Sequence, residues 1–156
     1  MRNRLSKGRT LGMAALTAFA LLASSGNAHA ITWEEDVADL SAQKNCSLVS
    51  LSGWTDAFSC FQKYGDVLQV YTAQTDTVMR MSVQWRNEIK KKDGGWELYR
   101  YGECFNDLGT RTFGVCNKDF YENSTVHNGY QGSRISIKHC IKGTCEPWSV
   151  WALNDA

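Results

Sequence analysis

The chain has 156 residues, with 17 Lys+Arg against 16 Asp+Glu, six cysteines and a single proline. Four of the bases (Arg2, Arg4, Lys7, Arg9) precede the uncharged apolar run Leu11–Ala23, and Ala28-His29-Ala30 follows. A basic start, a short apolar run and a small-x-small end mark a secretory signal cleaved after Ala30. The run is too short to span a bilayer as a helix, and no cysteine follows the cleavage point to take a lipid. Without residues 1–30 the balance is 13 bases against 16 acids, net −3, which removes the electrostatic case for nucleic acid as a partner.

Residues 31–156 have the length of one domain, expected to be monomeric with no membrane span. Ile31–Lys44 reads as a short helix. Thr32 and Glu35 have capping-box spacing, Glu34, Glu35 and Asp36 suit the positive end of a helix dipole, and Trp33, Val37 and Leu40 form one apolar stripe. Ser47–Leu51 and Ala57–Phe61 then read as strands about a turn at Gly53–Asp56. The stretch Cys60–Arg86 has the order of a hairpin. Val67, Gln69, Tyr71 and Ala73 alternate with Leu68, Val70 and Thr72. After the polar turn Gln74–Thr77, Met79, Met81, Val83 and Trp85 alternate with Arg80, Ser82, Gln84 and Arg86. A period of 2 is the mark of a half-buried strand.

Lys90–Gly95 holds Asp93-Gly94, the strongest short hairpin signal. The strand Trp96–Cys104 carries aromatics on both faces, with Glu97, Tyr99 and Tyr101 against Trp96, Leu98 and Arg100. Thr110–Phe120 and Arg134–Ile141 are the next strands, about a polar loop Tyr121–Gly132, and Ile135, Ile137, His139 and Ile141 share one face. Trp148–Leu153 closes the chain as a last strand. Six or seven strands joined by short turns predict a mainly β fold: an antiparallel meander closed as a sandwich or small barrel, with one N-terminal helix.

All six cysteines, Cys46, Cys60, Cys104, Cys116, Cys140 and Cys145, lie after the signal. An even count in a small exported chain argues for three disulfides. Fifteen pairings are open, and sequential pairing is expected because each neighbouring pair flanks a plausible turn. Zinc fails on spacing, since there is no C-x-x-C and His139 is the one imidazole near a cysteine. No metal and no cofactor is expected.

Cys60-Phe61-x-x-Tyr64-Gly65-Asp66, with Val70, Gly102-x-Cys104, Cys116 and the late Cys140/Cys145 pair beside Trp148, resembles small secreted Cys-containing β-proteins of actinobacteria. The resemblance implies an exported, disulfide-braced β-domain. It carries over no catalytic residue, and the start at Thr32 has no counterpart in it.

Catalytic patterns are poor. There is no Gly-x-Ser-x-Gly elbow. His127 falls in a polar loop and His139 among isoleucines, and Glu97, Glu103, Asp107 and Asp119 pair no better than any four of sixteen acids. Trp and Tyr make up 12 of the 126 residues after the signal. Rings on β-domains hold sugars by stacking and anchor protein partners, so Trp96, Tyr99, Tyr101, Trp148 and Trp151 are the candidate contacts of an extracellular, non-enzymatic binding module. An extracellular protease inhibitor or antagonistic toxin is the alternative, presenting Lys142 inside the Cys140/Cys145 clamp. A small hydrolase using His127 ranks third.

Overall fold

The computed structural model describes residues 31–51, 57–72, 80–125 and 130–155. The signal segment 1–30, the turns expected at 53–56 and 74–77, and His127 lie outside the described residues.

Two of the three long strands follow the alternation of their side chains. In β6 (Met81–Lys90), Met81, Val83, Trp85, Asn87 and Ile89 point inward, and Gln84, Arg86, Glu88 and Lys90 point out. In β9 (Ser133–Ile141), Ile135, Ile137 and His139 are buried, as their shared face predicts. β7 (Trp96–Asn106) pairs antiparallel with β6 through the Asp93-Gly94 turn. There Gly94 takes φ +84° and Asp93 Oδ1 accepts the Gly95 N–H at 2.8 Å. With β1 (Trp33–Val37), β10 (Thr144–Cys145) and β11 (Ala152–Asn154), these make one sheet in the order β1-β7-β6-β9, with β10 and β11 both along the free edge of β9. The second sheet runs β2 (Asp39–Ser41), β8 (Thr112–Asn117), β5 (Val67–Thr72), β4 (Phe58–Gln62), β3 (Leu48–Leu51). The two stack over one core, with Phe61, Leu68 and Val70 from the second meeting Met81, Val83, Trp85, Ile135 and Ile137 from the first.

Two expectations are corrected. β5 and β6 are strands, but not partners: β5 pairs with β4 and β8, and β6 with β7 and β9, so the chain crosses between sheets where a hairpin was expected. Both strands bury apolar residues, and Leu68 and Val70 of β5 meet Met81, Val83 and Trp85 of β6 across the core between the sheets. Residues 33–41 are strand and not helix. The stripe of Trp33, Val37 and Leu40 does not enter the core: all three are exposed, Val37 to 62% and Leu40 to 71%. What holds this segment is polar. β1 lies parallel to β7, and its inward carboxylates Glu34 and Asp36 reach Lys118. Ala38 packs on Gly114 where β1 passes into β2, taking the chain from one sheet edge to the other.

The cysteines pair in sequence order: Cys46–Cys60, Cys104–Cys116 and Cys140–Cys145. Cys104–Cys116 joins β7 to β8 and so ties one sheet to the other. Cys140–Cys145 clamps two directly opposed residues of β9 and β10. The Tyr64-Gly65-Asp66 turn also has a tertiary task. Gly65 and Asp66 both take positive φ, and the buried Asp66 carboxylate accepts from Phe120 N and Asn154 Nδ2, each at 2.9 Å. One turn thereby fastens both the segment after β8 and the last strand.

Candidate functional site

Trp96, Trp148 and Trp151 come from distant parts of the chain to the outer face of the first sheet. Trp96 starts β7 directly opposite Lys90 of β6. The other two ride on 146–151, which leaves the β9 edge between β10 and β11. Cys145 faces Cys140 and Ala152 faces Ile135, so this segment takes seven steps against five on β9 and must bulge outward. Pro147 stands in the bulge with no N–H to give to a ladder. Ser149 pins it, its N–H donating to Ile137 O (2.8 Å) and its Oγ accepting from Ile137 N (3.0 Å).

Cations from the two central strands fit between the indoles. Arg86 of β6 lies 4.5 Å from the Trp148 ring and 4.4 Å from Trp151. Arg134 of β9 lies 4.3 Å from Trp151 and 4.6 Å from Trp96. Lys138 caps Trp148 at 4.8 Å and Lys90 caps Trp96 at 4.7 Å. These contacts link the side chains in the succession Lys138–Trp148–Arg86–Trp151–Arg134–Trp96–Lys90. Each contact has the geometry of a cation–π pair. Arg134 is neutralised by Glu88, opposite it on β6, at 2.5–2.7 Å. Trp148, at one end, remains 37% exposed.

The two tyrosines separate at a bulge. Asn87 faces Arg100 and Glu88 faces Leu98, which leaves Tyr99 without an opposite residue and reverses the alternation of β7 on either side. Trp96, Leu98 and Tyr101 are thereby placed on the outer face and Arg100 turns in, a correction to the expected faces. Tyr101 meets Trp33 edge-on at 5.3 Å. Tyr99 instead packs on Tyr121 at 5.5 Å and lines a polar cleft of about 400 Å3 with Arg100, Asp119, Phe120, Tyr121 and Ser124. Burial first, then the hydrogen bond to Tyr121, pushes its phenol above the ordinary value, so it stays protonated.

Under that cleft the charges are closed on one another. Arg100 grips Glu34 with two parallel bonds of 2.7 and 2.9 Å and donates to Asp119 O. The buried Lys118 ammonium binds Glu34 at 2.9 Å and Asp36 beside it. Burial alone would raise the Glu34 carboxyl, but the bonds and charges of Arg100 and Lys118 outweigh it and hold it low. Such a carboxylate is a tether for β1 and not a proton donor.

The remaining candidates stand apart. Glu103 accepts from Ser82 Oγ, while Glu97, Asp107 and Asp119 are exposed. His139 is 1% exposed, with Nδ1 at 2.7 Å from Ser59 Oγ and Nε2 buried without a partner. Desolvation pulls its pKa down to about 4, so the ring is neutral and out of reach of any substrate. Lys142 is exposed with φ +49° in the tight turn between β9 and β10, its N–H donating to Arg80 O. A left-handed turn residue is not the extended segment that a protease cleft reads as a strand. Among the described residues, no group of three His, Cys, Asp or Glu side chains could hold a metal.

Arg86, Arg134 and Lys138 were missed by reasoning on aromatic content alone. Their signal was present, since each occupies the outward phase of a period-2 strand that is apolar on its inward phase. No family model, curated protein or solved structure matches this chain, and its function has to be read from this geometry.

Proposed function

We propose that the chain is a secreted, non-enzymatic binding module. In this reading residues 1–30 are removed as a signal peptide, residues 31–156 form a β-sandwich, and the outer face of the first sheet engages a carbohydrate or other cell-surface ligand. Three disulfides are typical of extracellular proteins, and no helix among the described residues is long and apolar enough to cross a membrane. The resemblance to small secreted Cys-containing β-proteins of actinobacteria points to the same compartment and carries no catalytic residue.

The observation that supports this reading is the assembly of Trp96, Trp148 and Trp151 into one array on a solvent-facing sheet. A protein gains little core by placing three of its largest apolar side chains outside its sheet. Such rings are the usual anchors of sugars and protein partners. Trp148 is the contact to test, because it is the most exposed of the three indoles.

Titrating the oxidised protein with soluble cell-wall polysaccharides and chitin oligomers should quench or blue-shift its tryptophan emission with at least one of them. Trp148→Ala should weaken that binding by about tenfold or more, the scale of an interface hot spot, with an unchanged thermal midpoint. A flat response to every polymer, or undiminished binding by Trp148→Ala, overturns the reading.

A further inference from the structure

We infer that Arg86, Lys138 and the indole of Trp148 form an anion subsite, and that its ligand is a carboxylated glycan. This rests on the reading of the outer sheet face as the binding surface.

The four cations of the array are not equivalent. Arg134 has Glu88 as its counter-ion. Among the described residues, neither Arg86 nor Lys138 meets a carboxylate in an ion pair or hydrogen bond, and Arg86 Nε is buried with no acceptor at all. Both stand on the outward phase of neighbouring strands. Lys138 faces Gln84 and Arg86 faces Ser136, so the two are diagonal neighbours across one ladder. Diagonal neighbours lie about 7–8 Å apart, and here both charged groups converge on the same indole, at 4.8 and 4.5 Å.

This pairing runs against the charge of the whole. Counted from residue 31 the chain carries 13 bases and 16 acids, yet two bases share one ring with no acid between them. Like charges so placed repel, and a bound anion relieves that repulsion. An indole orients the planar guanidinium beside it and shields it from water. The guanidinium fork is then presented for bidentate contact with a planar carboxylate. The exposed part of Trp148, 37% of the residue, supplies apolar ring surface next to the charges that a sugar ring can contact. A ligand that fits both halves carries a carboxylate on a pyranose, as uronate polymers do. Acidic peptides and polyphosphates satisfy the cations but leave the indole without a ring to stack on.

The test uses the mature oxidised protein with four probes followed by tryptophan emission: polygalacturonate, its fully methyl-esterified form, chitin oligomers and polyphosphate. Polygalacturonate should bind, weakening about tenfold or more on esterification and falling steeply with added salt. Lys138→Gln should lose about fivefold or more on polygalacturonate and flatten the salt dependence, while Lys138→Glu should abolish binding. Arg86→Gln should weaken it further, and Lys138→Gln, a surface change, keeps the test open should Arg86→Gln fail to fold. Equal affinity for the esterified polymer, or an unaffected Lys138→Gln, overturns the subsite. Binding of chitin oligomers but not polygalacturonate overturns the subsite and leaves the binding face standing. Polyphosphate bound as tightly as polygalacturonate overturns the glycan assignment, and binding of none of the four overturns both readings.

Discussion

His139 carries a cost that depends on pH. Its ring is fully enclosed, bonded only through Nδ1 to Ser59, and burial holds its pKa near 4 against 6.5 in the unfolded chain. Protons bind the unfolded state first, so the stability from the neutral ring is complete above pH 6.5 and is lost as pH falls towards 4. A shift of that size is worth about 3 kcal/mol. Burial pushes the Asp66 carboxyl up, which works in the opposite direction, so the comparison has to be made with a variant. Denaturant melts at pH 7 and pH 4 should show a smaller loss for His139→Gln than for the parent protein. Equal losses in the two would show that the imidazole is hydrated or paired in the folded state. Asp66 teaches a related lesson at the same scale. Its place in a turn was plain in the sequence, but its two acceptor bonds to Phe120 and Asn154 join segments more than fifty residues away.

At the scale of elements, β1 is the instructive case. Its residues have helical spacing on paper, and an isolated peptide would have little reason to choose the strand. The strand wins because β7 offers a backbone ladder and because Lys118 and Arg100 require carboxylates where only an extended chain places Glu34 and Asp36 on one side. Removing those acids would leave Lys118 buried and unpaired, at about 3–5 kcal/mol. Gly102 makes the approach possible. A Cβ there would sit 2.2 Å from Glu34 O and 2.9 Å from Glu34 Cβ. Backbone cannot yield as a flexible side chain does, so Gly102→Ala must lift β1 from β7. The expected cost is about 3 kcal/mol, from overpacking and strained ion pairs together. Amide exchange should rise selectively at residues 33–37. Unchanged protection there would mean that β1 is held by something other than this close contact. The outward bulge at 146–151 obeys similar logic: two surplus residues and Pro147 prevent a continuous strand, and the tryptophans are carried over the sheet as a result.

For the molecule as a whole, the three disulfides do different work. Cys140–Cys145 joins residues already opposed in a tight hairpin, and Cys46–Cys60 ties the approach to β3 onto β4. Cys104–Cys116 alone spans the sheets, with both sulfurs buried in the core. Chain-entropy arguments assign it about 3 kcal/mol, and its removal also leaves a gap in the packing. The double variant Cys104→Ala/Cys116→Ala should therefore lower stability by about 3–5 kcal/mol and shift the denaturation midpoint further than Cys140→Ala/Cys145→Ala. The reverse order would mean that the sheets hold together without the bridge.

How much of this was legible follows from range. Period-2 alternation in β6 and β9, the Asp93-Gly94 turn and the clustering of cysteines about turns are local patterns, and they determined a disulfide-braced, mainly β domain and which faces of β6 and β9 look inward. Which strands pair is not a local property. Alternation is identical for a strand in either sheet, so β5 and β6 read as a hairpin until the core divided them. A single bulged residue, Tyr99, reverses the faces of β7 without any mark in the spacing. The array of tryptophans and cations was present only as composition, because its members are separated by up to 65 positions, from Arg86 to Trp151. Their convergence is decided by sheet order and one bulge, which exist only once the backbone ladders of distant strands have formed.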